Sequence, residues 1–332
     1  MRSMVLPHDA PEPIATTIEP FHNSLFSSSS LMTTRTSKDR VVFGCPKTTS
    51  TDGLALARYA VTKRLRKTLY GETLLARDRS QLNEPPVVLK RISLRLLQEN
   101  ARGANENPLR ERDVIQLILR QSHPHIVKYE TRHPAMFVVD DNIYIVMEYC
   151  AQGDLYDHVE KQPHSQVPEF EALRYVHQIT QGLAYLHANG IAHRDVSLEN
   201  VLIHGNTVKL CDFGLSCDAN TLSTDSVGKL YYMAPEVAHR EPYDPKRADL
   251  WSLGILLFVL LTGSPLVSEE KVRDKTFQVV RSCGVGKVLE SWHMQGICGP
   301  ETLDLLEKLV QVDPVKRPTI QEVLNHPAFA RF

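Results

Sequence analysis

The chain has 332 residues, enough for one large or two modest domains, and its 42% hydrophobic and 23% charged content is ordinary for a globular protein with a real core. A formal net charge of −1 gives no bulk attraction to nucleic acid or to an acidic membrane surface. Cys45, Cys150, Cys211, Cys217, Cys283 and Cys298 lack a CxxC or metal-ligand spacing, so they read as reduced thiols of an intracellular protein rather than a disulfide framework.

Residues 1–52 are rich in Pro, Ser and Thr, with a serine run at Ser27–Ser30, and show no sustained periodicity. They are expected to form a disordered tail, either carrying regulatory phosphosites or having no role. Pro7, His8 and Asp9 interrupt the only apolar start, so no signal peptide is expected. From about Leu54 the pattern is strand-like. Leu69 to Ala76 and Val87 to Ile92 are predicted strands, with the turn formers Asn83, Pro85 and Pro86 between them. Arg110 to Arg120 is a predicted helix, because Val114, Ile115, Ile118 and Leu119 recur at helical spacing. Strands follow at Ala135 to Val139 and Ile143 to Glu148, joined by the turn Asp140-Asp141-Asn142.

After Gly153 the character becomes helical. Leu173, Val176, Ile179, Leu183 and Leu186 mark an amphipathic helix over Glu169 to Ala188, and short strands are predicted at Val201 to Ile203 and Val208 to Leu210. Leu250 to Leu261 is apolar almost all round but shorter than the ~18 residues that span a bilayer, so it is predicted to be a buried core helix. A last helical pair is expected around Leu303 to Val310 and Ile320 to Leu324. A sheet-rich part followed by a larger helical part predicts a two-lobe α+β protein with its site in the cleft between the lobes.

Two short strings carry chemistry. One is His193-Arg194-Asp195 followed by Asn200; the other, further on, is Asp212-Phe213-Gly214. Either alone recurs by chance; together, in order and in a strand–loop–strand context, they are specific. With Val87-Val88-Leu89-Lys90 upstream and Met233-Ala234-Pro235-Glu236 downstream, the chain resembles the eukaryotic protein kinase family, serine/threonine branch, over about Tyr59 to Phe329. The resemblance implies the kinase fold: a small sheet-rich N-lobe with one main helix (53–148) and a larger helical C-lobe (149–332).

The resemblance also implies roles. Asp195 orients the attacking hydroxyl and accepts its proton, and Asn200 and Asp212 hold Mg²⁺ against the phosphates of ATP. Lys90 grips the α- and β-phosphates, and its partner is Glu111, chosen because Val114, Ile115 and Ile118 then form the buried face of the same helix. Standing alone, Lys90 would read as a solvated lysine on an edge strand, and Glu111 as a surface charge. The backbone of Glu148 and Cys150 bonds the purine, Met147 guards the back of its pocket, Asp154 lies where a ribose hydroxyl is bound, and Leu202 forms the floor. Asp249 fixes the catalytic-loop backbone, and Glu236 pairs with Arg317. Arg194 marks kinases controlled by activation-loop phosphorylation, which makes Thr224 and Ser226 candidate phosphosites, with Asp225 between them as a partial mimic of that charge.

The chain departs from the family pattern in two places. In Leu65 to Arg77 only Gly71 remains of three expected glycines, with Arg66 and Thr68 in the other places, which predicts weaker ATP binding. Family members usually carry lysine two residues after the catalytic aspartate and threonine after the glycine that precedes the APE element. Here Ser197 and Lys229 stand there. Hydroxyl and ammonium have traded places, which predicts that Lys229 serves catalysis from the far side of Asp195; the alternative is two unrelated losses. The combined reading is an ATP- and Mg²⁺-dependent protein serine/threonine kinase acting on protein Ser/Thr acceptors. It is expected to be a cytoplasmic monomer, with the nucleus as the alternative location, and to have neither nucleic-acid binding nor membrane insertion. The competing reading is a pseudokinase serving as scaffold or allosteric partner.

Overall fold

The computed structural model describes residues 50–99, 108–267 and 275–332. The expected tail over 1–52 lies outside them, apart from its end at 50–52. The described residues divide into two compact units: a sheet unit (50–99 and 128–149) and a helical unit (108–127, 150–267 and 275–332).

The sheet unit opens with α1 (Ser50–Ala57), where the sequence pattern predicts strand from Leu54 onward. Alanine and leucine favour helix, and Ala55 and Leu56 pack on the sheet core, so local propensity and burial agree against the strand. Five strands follow: β1 (Tyr59–Thr68), β2 (Gly71–Asp78), β3 (Pro86–Ser93), then β4 (Met136–Val139) and β5 (Asn142–Glu148), with α2 (Leu94–Glu99) after β3. They form one antiparallel sheet in the order β1-β2-β3-β5-β4. In the β4–β5 turn Asp140 and Asp141 both take positive φ, 46° and 58°, as the two-residue hairpin demands. Tyr59, Leu89, Phe137, Tyr144 and Val146 lie in the core of the unit, with Phe137 stacked on Tyr59 and Tyr144.

In the helical unit α3 (Pro108–Arg120) precedes α4 (Leu155–Glu160) and α5 (Glu169–Ala188). Short strand pairs follow: β6 (Ile191–Ala192) with β9 (Cys217–Asp218), and the hairpin β7 (Val201–His204) with β8 (Thr207–Leu210). The rest is helical: α6 (Pro235–Ala238), α7 (Pro245–Thr262), α8 (Lys275–Cys283), α9 (Val285–Ser291), α10 (Pro300–Leu309) and α11 (Ile320–Leu324). Helix α7 starts where Asp244 accepts the Lys246 N–H ahead of Pro245 and stops at Gly263 in the left-handed region (φ 70°). Trp251, Leu253, Ile255 and Phe258 all have zero exposure, as an all-round apolar helix requires. No helix among the described residues is long and apolar enough to cross a membrane.

A buried charge cluster closes the sheet unit. The Asp78 carboxylate, fully buried, accepts from Arg58 Nε at 2.9 Å and Nη2 at 3.1 Å, from Ser80 and from Gln81. Burial alone would raise its pKa, but the hydrogen bonds from Arg58, Gln81 and Ser80 outweigh it and hold the group well below the usual carboxylate range. Stability from such a group is fully present above the unfolded carboxylate pKa and is lost as pH falls towards the folded value. Because Ser80 and Gln81 remain, Arg58→Ala is expected to cost about 2–3 kcal/mol at pH 7, below the roughly 3–5 kcal/mol of an unsupported buried charge. Urea denaturation should show that penalty shrinking as pH is lowered from 7 towards 3; a pH-independent penalty would refute the assignment.

Candidate active site

The catalytic loop is built on one buried carboxylate. Asp249, inside α7 and fully buried, accepts the backbone N–H of His193 at 2.9 Å and of Arg194 at 2.7 Å, and His187 Nε2 lies 2.8 Å from the same group. Arg194 is thereby held at φ 64°, a conformation that costs a non-glycine residue about 1–2 kcal/mol. Buried His193 points Nε2 at the Cys211 carbonyl (3.2 Å), receives the Asp195 N–H on Nδ1 (3.3 Å) and packs on buried Phe213. The Asp249 role expected from the sequence is observed; His187 was not anticipated, because a histidine in the last turn of a helix reads as an ordinary cap.

Asp195 stands at the centre of this loop. Asn200 Nδ2 donates to its Oδ2 at 2.6 Å and to its backbone carbonyl at 2.8 Å, and the Lys229 N–H donates to Oδ1 at 3.2 Å. The β7–β8 hairpin then brings the second motif alongside, since the Cys211 N–H donates to the Asn200 carbonyl at 3.0 Å and Asp212 is the next residue, at φ 63°. Asn200 spends its amide nitrogen on Asp195, which leaves the amide oxygen as the donor for a cation.

Lys229 Nζ donates to Ser197 Oγ at 2.6 Å and lies 3.5 Å from Asp195 Oδ2 and 3.8 Å from Glu199 Oε2. The chain reaches this point through Gly228 at φ 96°, where a Cβ would sit 2.6 Å from the Arg194 carbonyl oxygen. Only glycine passes there. The structure therefore brings together the two residues whose types are exchanged relative to the family. Glu199 joins the cluster, largely buried, although nothing in the local sequence distinguishes it from a surface charge.

Arg194 turns its side chain away from Asp195. It donates through Nε to the Leu215 carbonyl (2.7 Å) and through Nη1 to Asp225 Oδ2 (2.8 Å) and Ser223 Oγ (3.0 Å). Burial works against its charge, but Cys217, Tyr243 and Asp225 together raise its pKa. Of the candidate phosphosites, Thr224 is exposed and the Ser226 hydroxyl faces Met233 Sδ at 3.8 Å, so the hydroxyl presented to Arg194 is that of Ser223. Arg110 in α3 donates to the Ser216 carbonyl at 2.9 Å, and burial pushes the Cys217 thiol up to about 11, which keeps it protonated at neutral pH. Glu236 and Arg317 form the expected bidentate pair at 2.6 and 2.8 Å, with Arg317 fully buried against the Trp251 ring.

The remaining candidates are distributed over both units. In the helical unit Asp154 accepts the Asp157 N–H at 2.8 Å as the cap of α4 and bridges Leu202; Cys150 is buried. Glu111 is only 1% exposed, which excludes a surface charge. In the sheet unit Lys90 lies on the central strand β3, opposite Thr73 and Ile145, and is 7% exposed, so it is neither solvated nor on an edge. Met147 and Glu148 end β5, the Glu148 side chain accepting the Lys128 N–H at 2.7 Å. Gly71 opens β2, where a Cβ would fall 1.9 Å from the Arg91 carbonyl oxygen. Close packing of β2 on β3 is thus a sufficient reason for that glycine.

A protein kinase domain model matches residues 60–329. The chain belongs to the protein kinase family. It is 30% identical over 273 residues to NUAK family SNF1-like kinase 2 of Rattus norvegicus, covering 81% of this chain and 40% of that protein. It is 32% identical over 280 residues to the carbon catabolite-derepressing protein kinase of Secale cereale (83% and 52%). With the probable serine/threonine-protein kinase HSL1 of Saccharomyces cerevisiae it shares 33% over 243 residues (71% and 15%). The chain spans about half or less of the length of these relatives.

Asp249→Asn keeps the shape but turns an NH₂ towards one of the loop N–H groups. Leaving a buried donor unpaired costs about 1–3 kcal/mol, so urea denaturation should show a loss of that size. An unchanged midpoint would mean that the carboxylate does not hold the loop.

Proposed function

We propose that this protein is an ATP-dependent protein serine/threonine kinase, transferring the γ-phosphoryl group of ATP to a serine or threonine hydroxyl of a protein substrate. The observation that carries the reading is the pinned loop in which Asn200 and the Lys229 N–H hold the Asp195 carboxylate. In that position Asp195 aligns the acceptor hydroxyl and takes its proton as the new O–P bond forms and the bond to the β-phosphate oxygen breaks, ADP leaving. Lys90 carries the charge for the α- and β-phosphates.

The donor set at the end of the β7–β8 hairpin fits a hard divalent cation. The Asn200 amide oxygen and the Asp212 carboxylate are oxygen ligands, and Asn200 is oriented by its bonds to Asp195. Mg²⁺ held there neutralises phosphate charge. A scaffold without catalysis has no need of Asp195, Asn200 and Asp212 together, and the relatives' names support the serine/threonine class. The five cysteines among the described residues are free thiols, which supports a reducing, cytoplasmic setting.

The test is transfer from radiolabelled ATP over a serine/threonine peptide library, with Asp195→Asn beside wild type. Loss of the base should lower kcat by roughly 10²–10⁴-fold while ATP-induced thermal stabilisation is kept. Equal labelling by both proteins would overturn the reading.

A further inference from the structure

The catalytic loop lacks a lysine of its own, and its one arginine is committed elsewhere: Arg194 is spent on Leu215, Ser223 and Asp225. Yet an ammonium stands beside Asp195. Lys229 Nζ lies 3.5 Å from Asp195 Oδ2, and its side chain is 34% exposed, within reach of a ligand. Ser197, fully buried, takes its hydrogen bond at 2.6 Å and fixes its direction.

Resting on the kinase reading above, we infer that Lys229 is a catalytic residue: it delivers from the activation segment, which opens at Asp212 and closes at Glu236, the positive charge that stabilises the transferring phosphoryl group, with Ser197 as its positioning partner. Lys229 stays protonated throughout; the hydroxyl proton goes to Asp195, the acceptor oxygen bonds to the γ-phosphorus, and ADP carries away the bonding pair. A fixed cation where charge develops acts strongly because it needs no reorganisation during the step.

The placement has a consequence that a lysine on the catalytic loop would lack. The loop is fixed by Asp249, but Lys229 travels with the segment, and three contacts set its position: its own N–H on Asp195 Oδ1 (3.2 Å), the close passage of Gly228 over the Arg194 carbonyl, and the Asp225 carboxylate on Arg194 (2.8 Å). Docking of the segment and assembly of the charge on the phosphoryl group are therefore one event. A side-chain carboxylate of the chain itself, Asp225, already occupies Arg194, so the docked state needs no phosphate on the segment.

The experiment compares wild type, Asp195→Asn, Lys229→Ala, Lys229→Arg, Lys229→Thr, Ser197→Lys and the reciprocal double variant Ser197→Lys/Lys229→Thr, all with unfolding midpoints measured. Steady-state kcat and KM for ATP are read on one peptide. Lys229→Ala should lower kcat by about 10²–10³-fold, the loss typical of one stabilising donor, with a much smaller change in KM. Lys229→Arg should retain more activity than Lys229→Ala. Ser197→Lys should be impaired because it sets two ammonium groups side by side, and the double variant should recover at least about 10-fold in kcat over each single variant that it combines. Wild-type enzyme examined by mass spectrometry should be active with an unmodified segment. An active wild type whose kcat survives Lys229→Ala, or a double variant no better than its parents, would overturn the inference alone. A wild type no more active than Asp195→Asn would overturn the kinase reading and this inference with it.

Discussion

The catalytic loop hangs from the Asp249 carboxylate. It is carried by α7, a helix buried on all sides and so unable to shift without opening the core. Its two oxygens collect the N–H groups of consecutive loop residues, His193 and Arg194, with His187 from α5 bracing one of them. Hydrogen bonds to a charged group are worth about 1.5–3 kcal/mol each, enough to hold Arg194 in its left-handed conformation. That conformation directs the Arg194 side chain towards the activation segment and leaves the following residue, Asp195, to face Asn200 and Lys229.

The activation segment is held at two places by buried arginines, and the two are different in kind. At its far end Arg317 grips Glu236 bidentately in a dry setting against Trp251, a structural pair that fixes the segment to α7 and the loop before α11. At its middle Arg194 meets Asp225, whose own side chain is 54% exposed, so water competes for that contact. A buried pair of the first sort is either present or the fold suffers, whereas a half-exposed one opens at modest cost. Lys229 lies between these two anchors.

Much of this was legible in the sequence. The apolar periodicity of α5, the all-round burial of α7 and the Asp140-Asp141 hairpin followed from spacing and turn chemistry, because each depends on neighbours within a few residues. The pairing of Glu236 with Arg317 and the role of Asp249 came from the resemblance to the kinase family. What stayed hidden were contacts between residues far apart in the chain whose types are common: His187 on Asp249, Ser223 rather than Thr224 or Ser226 on Arg194, and Glu199 in the Lys229 cluster. Nothing local marks them, since serine, histidine and glutamate occur freely on surfaces. From Leu54 onward the helix Ser50–Ala57 reads as strand in the sequence, because a short apolar run has no period long enough to separate the two.

The sequence by itself determined the class of fold and the chemistry-bearing types Lys90, Asp195, Asn200 and Asp212, and it registered that serine and lysine had changed places at 197 and 229. It did so because the motifs stand in an order and spacing that resemble the kinase family, and the exchange shows only against that family's pattern. Only the tertiary structure decided that the exchanged pair meets, with Nζ at 2.6 Å from Oγ and the ammonium beside Asp195. That meeting depends on Gly228 allowing two backbone segments, remote in sequence, to cross in contact, and closeness of that kind is a property of packing.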